Sequence, residues 1–269
     1  MPRPSYEESP MPRYDFTTPR IYLDTPLAEG RDVPLGRDQA NYLLNVLRLK
    51  RGDAFLLFNG RDGEWQATLA GTAKKAAALV GVRAREQSAP TDLHFLFAPL
   101  KHARLDYVAQ KAVELGVSRL QPVITRHTQV ARVNLARMRA NAIEAAQQCG
   151  ILTLAELAEP VDFKKIVGPA DNDRLLVFCD EEADVKDPVA ALQAARRNGS
   201  ALLPVAASRA APPLAVLIGP EGGFSDAERE ALLQRPNVVR IALGPRILRA
   251  DTAAVAALSL VQAVLGDWR

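Results

Sequence analysis

Two consecutive apolar strands near the end of the chain each break at a Gly-Pro, and each is followed by a polar loop and then a helical stretch. The first reads Leu214-Ala-Val-Leu-Ile-Gly-Pro-Glu-Gly-Gly-Phe224 and leads into Ser225-Asp-Ala-Glu228. The second reads Val238-Val-Arg-Ile-Ala-Leu-Gly-Pro-Arg-Ile-Leu-Arg-Ala-Asp-Thr252 and leads into an Ala-rich helix. Repeated strand–loop–helix units of this kind build a parallel sheet covered by helices. Ligands bind such sheets at the carboxyl ends of the strands. The two loops are therefore expected at the ends of neighbouring parallel strands, forming one small-molecule site.

The same alternation begins well upstream. Strands are expected at Leu93–Ala98, Arg119–Ile124, Leu175–Cys179, Ala215–Ile218 and Val239–Leu243. Helices are expected at Leu105–Leu115, Leu135–Gln148, Pro188–Arg196, Asp226–Leu233 and Ala253–Leu265. Gly116 and Gly150 stand where helices end, and Asn198–Pro213 reads as a surface insertion. Residues 20–85 have a different texture. Short strands at Arg20–Leu23, Ala54–Phe58, Glu64–Leu69 and Ala76–Val82 surround a helix at Asp38–Leu49 and a hairpin loop at Asn59–Gly63, the makings of a small β-barrel. Trp65 reads as hairpin core. The polar stretch Arg85–Pro90 marks the boundary. The expected organisation is a disordered leader at 1–18, rich in proline, a β-barrel at 19–86 and an α/β domain at 92–269.

Composition narrows the function classes. A net charge of +3 over 269 residues permits a nucleic-acid partner without requiring one. Two distant cysteines, Cys149 and Cys179, suggest neither a disulfide framework nor a metal site, and three scattered histidines add none. The longest apolar stretch, Ala253–Leu265, is interrupted by Ser259 and Gln262 and falls short of the ~20 residues that span a bilayer. A cytoplasmic protein with no membrane or metal partner is expected.

Gly219-Pro-Glu-Gly-Gly223 resembles a phosphate-binding turn only at first sight. Its spacing is neither G-x-G-x-x-G nor G-x-x-x-x-G-K, which also disfavours a Rossmann dehydrogenase. Glu221 stands where an anion would sit, and two like charges at about 4 Å repel by ~1 kcal/mol in water and ~4 kcal/mol at an effective dielectric near 20. Ser225 and Glu228 form a capping-box pattern that uses the helix donors a phosphate would need. A tight turn with no ligand, or a site for a hydroxylated or cationic ligand, remains. The second loop sets Ile247 and Leu248 between Arg246 and Arg249; the two apolar residues either plug the core or wall an adenine pocket. Asp251, at the start of the last helix, reads as an ordinary N-cap or as a functional acid.

The two segments LIGPEGGFSDAE and IALGPRILRADTAAVAAL are similar to the signature of the RsmE family, the 16S ribosomal RNA uridine-N3 methyltransferases of the SPOUT class. The resemblance extends to Gln110-Lys111 with Glu114-Leu-Gly-Val117, to Arg126, to Gln148-Cys149-Gly150, and to Arg20-Ile-Tyr22, Leu47-Arg48 and Gly52-Asp53 in the first domain. It covers nearly the whole chain from residue 20.

The resemblance implies a parallel α/β sheet with a C-terminal trefoil knot, preceded by a PUA-like RNA-binding barrel. It also implies a homodimer whose second subunit completes the pocket, and S-adenosylmethionine held by Leu217, Ile218, Gly219, Glu221, Gly222, Gly223, Leu243, Gly244, Ile247 and Leu248. The expected substrate is 16S ribosomal RNA, within the small ribosomal subunit. Uridine N3 is a poor nucleophile until it loses its proton, so Arg249 is the candidate to stabilise the uracil anion and Asp251 the candidate base or orienter. Arg20, Arg48, Lys50, Arg51, Lys101, Lys111, Arg126 and Arg246 are the candidate RNA contacts. His102 is read as incidental. The chain departs from the family pattern at Ala250-Asp251, where the family has Thr-Glu, and at Gln147 and Ile151, where an acid and an arginine are missing. Two alternatives are a knotted ribose 2′-O-methyltransferase and a catalytically weakened RNA-binding or ribosome-assembly protein.

Overall fold

A computed structural model of the protein describes residues 15, 17–72, 75–130, 132–168, 173–185, 187–199 and 213–268. Most of the expected leader and most of the expected Asn198–Pro213 insertion lie outside these residues. The chain divides into two compact units, Met1–Gln87 and Ser88–Arg269.

The first unit is a five-stranded mixed sheet. Its strands are β1 (Arg20–Tyr22), β2 (Asp32–Pro34), β3 (Ala54–Phe58), β4 (Glu64–Thr72) and β5 (Lys75–Arg85), in the order β1-β3-β4-β5-β2. β1 and β3 run parallel, and the other pairs are antiparallel. Both edge strands feed one core, with Ile21 from β1 and Val33 from β2 buried beside Leu43, Phe55, Leu57 and Val80. The expected hairpin is present between β3 and β4. Asn59 shapes its loop by accepting hydrogen bonds from the amides of Arg61 and Asp62, while the Asp62 carboxylate accepts from the Leu27 amide. Trp65 packs against the core and donates from Nε1 to the Asp62 carbonyl.

The expected helix at 38–49 is broken up. A short helix, α1 (Arg37–Asn41), widens into a π-type turn at Tyr42–Val46, closed by the Leu47 amide donating to the Tyr42 carbonyl. Arg48 then takes a left-handed conformation (φ 58°), which ends any helix. Leu43 is buried while Val46 is 60% exposed, since the residue inserted by the π-type turn shifts the helix face. β2 was not foreseen; three residues with a single buried side chain carry too little pattern.

The second unit carries the parallel sheet. Its strands are β6 (Leu93–Phe97), β7 (Arg119–Ile124), β8 (Glu156–Leu157), β9 (Val161–Asp162), β10 (Leu175–Cys179), β11 (Leu214–Ile218) and β12 (Val238–Ile241). They lie in the order β12-β10-β11-β6-β7-β8, with β9 also paired to β7, and every pairing is parallel. All five residues of β11 are buried, as expected for a central strand covered on both faces. Its helices are α2 (His102–Glu114), α3 (Leu135–Cys149), α4 (Phe163–Ile166), α5 (Pro188–Gly199), α6 (Asp226–Leu233) and α7 (Ala250–Val264).

Asn134 caps α3 by accepting from the Arg137 amide, and Gly150 ends it with φ 67°. The last helix packs on α2, α5 and β11 through Ala254, Ala257, Leu258 and Val261. Gln262, which interrupts its apolar run, is 1% exposed. Its Nε2 donates to the Leu115 carbonyl, so a residue that breaks the hydropathy pattern caps the end of α2. No helix among the described residues is long and apolar enough to cross a membrane.

Candidate active site

β11 and β12, whose loops the sequence pairs, are not neighbours: β10 lies between them. The register nonetheless sets the two loops level. Cys179, the last residue of β10, pairs with Ile218 on one side and Ile241 on the other, and these are the last residues of β11 and β12. Two strand spacings put the loops roughly 10 Å apart at their roots. Asp180 therefore emerges between them. It is 2% exposed, its amide donates to the Ile241 carbonyl, and its carboxylate accepts from Arg240 at 2.8 and 2.5 Å and from Arg229 Nε at 3.3 Å. Arg240 belongs to β12 and Arg229 to α6, so one buried carboxylate ties together the elements that carry both loops. Arg229 is also within reach of Glu181, Glu182 and Asp226. Desolvation works against its charge, but the surrounding carboxylates, Asp180 first, hold its pKa above the usual arginine value.

The first loop, residues 219–224, is pinned from below by Phe224. That ring is buried and meets Phe178 edge-on at 5.1 Å. A Cβ on Gly219 would fall 2.5 Å from the Phe224 ring, so only glycine permits the chain to turn over it. Gly223 has φ 69°, and its amide donates to the Pro220 carbonyl. His127 holds the loop from the side: its Nδ1 lies 3.1 Å from both the Gly222 and Gly223 carbonyl oxygens. Facing two acceptors, Nδ1 carries the proton. Glu228 is buried and accepts from the Ser225 amide (2.9 Å), the Ser225 hydroxyl (3.0 Å) and the Arg126 amide (2.8 Å). The expected capping pattern at Ser225 and Glu228 is present and also fixes the end of β7.

The second loop is held differently. Among the described residues no hydrogen bond engages the backbone of residues 243–248. Gly244 has φ 87° with open space around it, and Ile247 is 92% exposed. An isoleucine that exposed is no core plug. The last helix begins one turn earlier than the pattern suggests: Ala250 is its first residue and Arg249 occupies the N-cap position. Asp251 is thus inside the first turn rather than the N-cap, and its Oδ1 accepts from the Thr252 amide.

The structure brings Glu221 and Asp251 together through a residue that the sequence did not single out. Arg104, in the first turn of α2, pairs with Glu221 and sets its Nε 3.9 Å from Asp251 Oδ2. Leu217 and Ile218 are buried, so only their backbones can meet a ligand, and the Ile218 carbonyl already accepts from the Ala98 amide. Leu243, Gly244, Ile247 and Leu248 all lie on the unengaged loop, and the Arg246 and Arg249 side chains are exposed there without partners among the described residues.

The expected cationic contacts divide. Arg48, Lys50 and Arg51 are exposed in the first unit, as are Lys101 and Arg126 in the second. Arg20 is not at a surface. It is 7% exposed and paired with buried Glu64, which also binds Arg85 at 2.6 Å. Lys111 is held by Glu114 at 2.8 Å, which raises its pKa, and lies over the Tyr107 ring. Of the residues missed, Asp180 had a visible signal, an acidic run directly after an apolar strand. His127 and Arg104 had none, because their partners are distant in sequence.

A family model described as an RNA methyltransferase domain matches residues 87–262. A second, described as an RNA methyltransferase PUA domain, matches residues 35–80. The ribosomal RNA small subunit methyltransferase E of Rickettsia conorii is 31% identical over 90% of this chain and 94% of its own length. The chain belongs to the small-subunit ribosomal RNA methyltransferase E family. The Synechocystis member is 30% identical over 87% of this chain and 73% of its own. The crystal structure of the Neisseria gonorrhoeae member, bound to S-adenosyl methionine, superposes with a TM-score of 0.77 at 25% identity, covering 94% of this chain and all of that one. The chain is accordingly an RNA methyltransferase with a wholly parallel-sheet core and a mixed N-terminal sheet of the PUA kind.

Proposed function

We propose that this methyltransferase transfers a methyl group from S-adenosylmethionine to N3 of one uridine in 16S ribosomal RNA. The observation that carries the reading is the level placement of two loops on either side of Cys179, one of them with its backbone unengaged, in a member of this family. The residues present fit the donor. The open backbone of 243–248 can read an adenine edge, and Ile247 and Leu248 offer apolar walls. The Glu221 carboxylate suits a sulfonium and is already balanced by Arg104.

When bound, the donor supplies an electrophilic methyl group. The chain's own residues must bind the uracil, align N3 and remove its proton. Alignment alone can supply ~7–11 kcal/mol of the barrier in ideal intramolecular cases. The Arg249 guanidinium, exposed at the mouth of α7, is placed to stabilise negative charge developing on the uracil; it stays charged and is no base. The Asp251 carboxylate is the proton acceptor or orienter, a role worth about 10²–10⁴-fold when a base is well positioned. N3 lies on the pairing edge, so the target uridine is methylated unpaired.

The domain at 19–86 would bind RNA through Arg48, Lys50 and Arg51, with Lys101, Arg126 and Arg246 contacting RNA from the domain at 92–269. Ile247 and its loop favour a homodimer in which a second copy covers exposed apolar surface. The substrate would be the small ribosomal subunit or its RNA in the cytoplasm. Two measurements test this. Calorimetry should find one S-adenosylmethionine site per subunit, and no binding up to millimolar would refute it. Mass mapping of small-subunit RNA from a deletion strain should lose one base methyl; loss of a ribose methyl instead would establish 2′-O chemistry.

A further inference from the structure

We propose that Arg104 is a positioning residue that couples the two loops, by giving the Glu221 and Asp251 carboxylates one shared cation. The inference rests on the reading of these loops as the methyl donor's site. The loops leave strands separated by β10, and from below they are tied through Asp180, which follows that strand and binds Arg229 and Arg240. On the ligand side the link is Arg104, which pairs with Glu221 in the first loop and approaches Asp251 in the first turn of α7. Arg104 itself is held by α2, where its amide donates to the Lys101 carbonyl.

A guanidinium is suited to this task because its planar fork presents separate donors to two acceptors, while an ammonium offers one point of charge. The other groups at the loops do not substitute for it. Arg246 and Arg249 are exposed on the second loop, and His127 is committed to the carbonyls of Gly222 and Gly223. Losing Arg104 would remove the cation that both carboxylates approach and loosen the first loop from the first turn of α7.

The test uses the full chain with Arg104→Met, which keeps the aliphatic stem, and Arg104→Lys. Hydrogen exchange is measured without cofactor, and S-adenosylmethionine affinity by calorimetry. Both pairs are partly exposed, so the expected loss of affinity in Arg104→Met is about fivefold. Peptides covering 219–224 and 250–255 should exchange faster together, and the Lys variant should recover the first but not the second. Wild-type affinity with wild-type exchange in Arg104→Met would overturn the proposal, as would faster exchange confined to one loop. Absence of S-adenosylmethionine binding by the wild-type protein would instead sink the functional reading, while the exchange data would still judge Arg104.

Discussion

Replacing Asp180 by asparagine should be among the most damaging conservative changes in the second unit. The side chain is wholly buried and receives three guanidinium hydrogen bonds, two from Arg240 and one longer one from Arg229, together with the Glu182 amide at 3.2 Å. Asparagine keeps the shape but removes the charge and turns one acceptor into a donor facing a guanidinium. Breaking a buried pair from one side costs ~3–5 kcal/mol. Two features pull the figure to the lower end: Arg229 keeps Glu181, Glu182 and Asp226, and the Arg240 side chain is 27% exposed and can be partly hydrated. The expectation is therefore about 3 kcal/mol, since hydrogen bonds to charged groups contribute ~1.5–3 kcal/mol each and are not additive. For a unit of this size each kcal/mol lowers Tm by roughly 2–4 °C, so calorimetry should find a drop of about 6–12 °C. Because both loops hang from this carboxylate, cofactor affinity should fall as well. A drop below about 2 °C would refute the argument, as would additive effects of Asp180→Asn and Arg240→Met in a double-mutant cycle.

Glu64 offers a test in the first unit. Burial pushes its carboxyl up, but hydrogen bonds from Arg85 and Arg20 outweigh burial and leave its pKa below the ordinary 4.5. Its stabilisation is thus fully present above that value and is lost as pH falls through the lowered folded value. The denaturation midpoint of the wild type should drop on acidification while Glu64→Gln, already destabilised at pH 6, changes less; parallel curves would contradict this. Gly219→Ala should press its methyl into the Phe224 ring, costing about 1–3 kcal/mol in melting experiments and weakening S-adenosylmethionine binding, whereas unchanged melting would mean that the ring yields freely. Burial, and then Asp180, pushes the Cys179 thiol up to about 12, while Cys149 is exposed. Ellman's reagent should therefore titrate one thiol in the native protein and two in denaturant, and rapid reaction of both would show that the end of β10 opens.

Much of the second unit was legible because its signals are local. Arg119–Ile124, Leu175–Cys179 and Asp226–Leu233 have the expected bounds, since each is a compact apolar run or a capped amphipathic stretch. Gly150 and the Ser225–Glu228 cap also announced themselves, through backbone conformation and spacing. Tertiary demands overrode local pattern elsewhere. The helix at 38–49 gave way to a π-type turn and a left-handed Arg48, and α7 starts at Ala250 because Arg249, not Asp251, occupies the N-cap.

The chain's order of residues, taken by itself, determined that there are two strand-end loops, which residue types they carry, and, through the resemblance of their motifs, the family. Hydrophobic periodicity, glycine and proline are read over a few residues, so they survive in one dimension. Only the tertiary structure decided that β10 runs between β11 and β12. With that strand in place, Asp180 became the shared anchor beneath both loops, and Arg104, 117 residues before Glu221, became their bridge above. It also placed Arg20 in a buried ion pair. Strand order and charge pairing depend on contacts between segments far apart in the chain, where neither periodicity nor spacing carries the information.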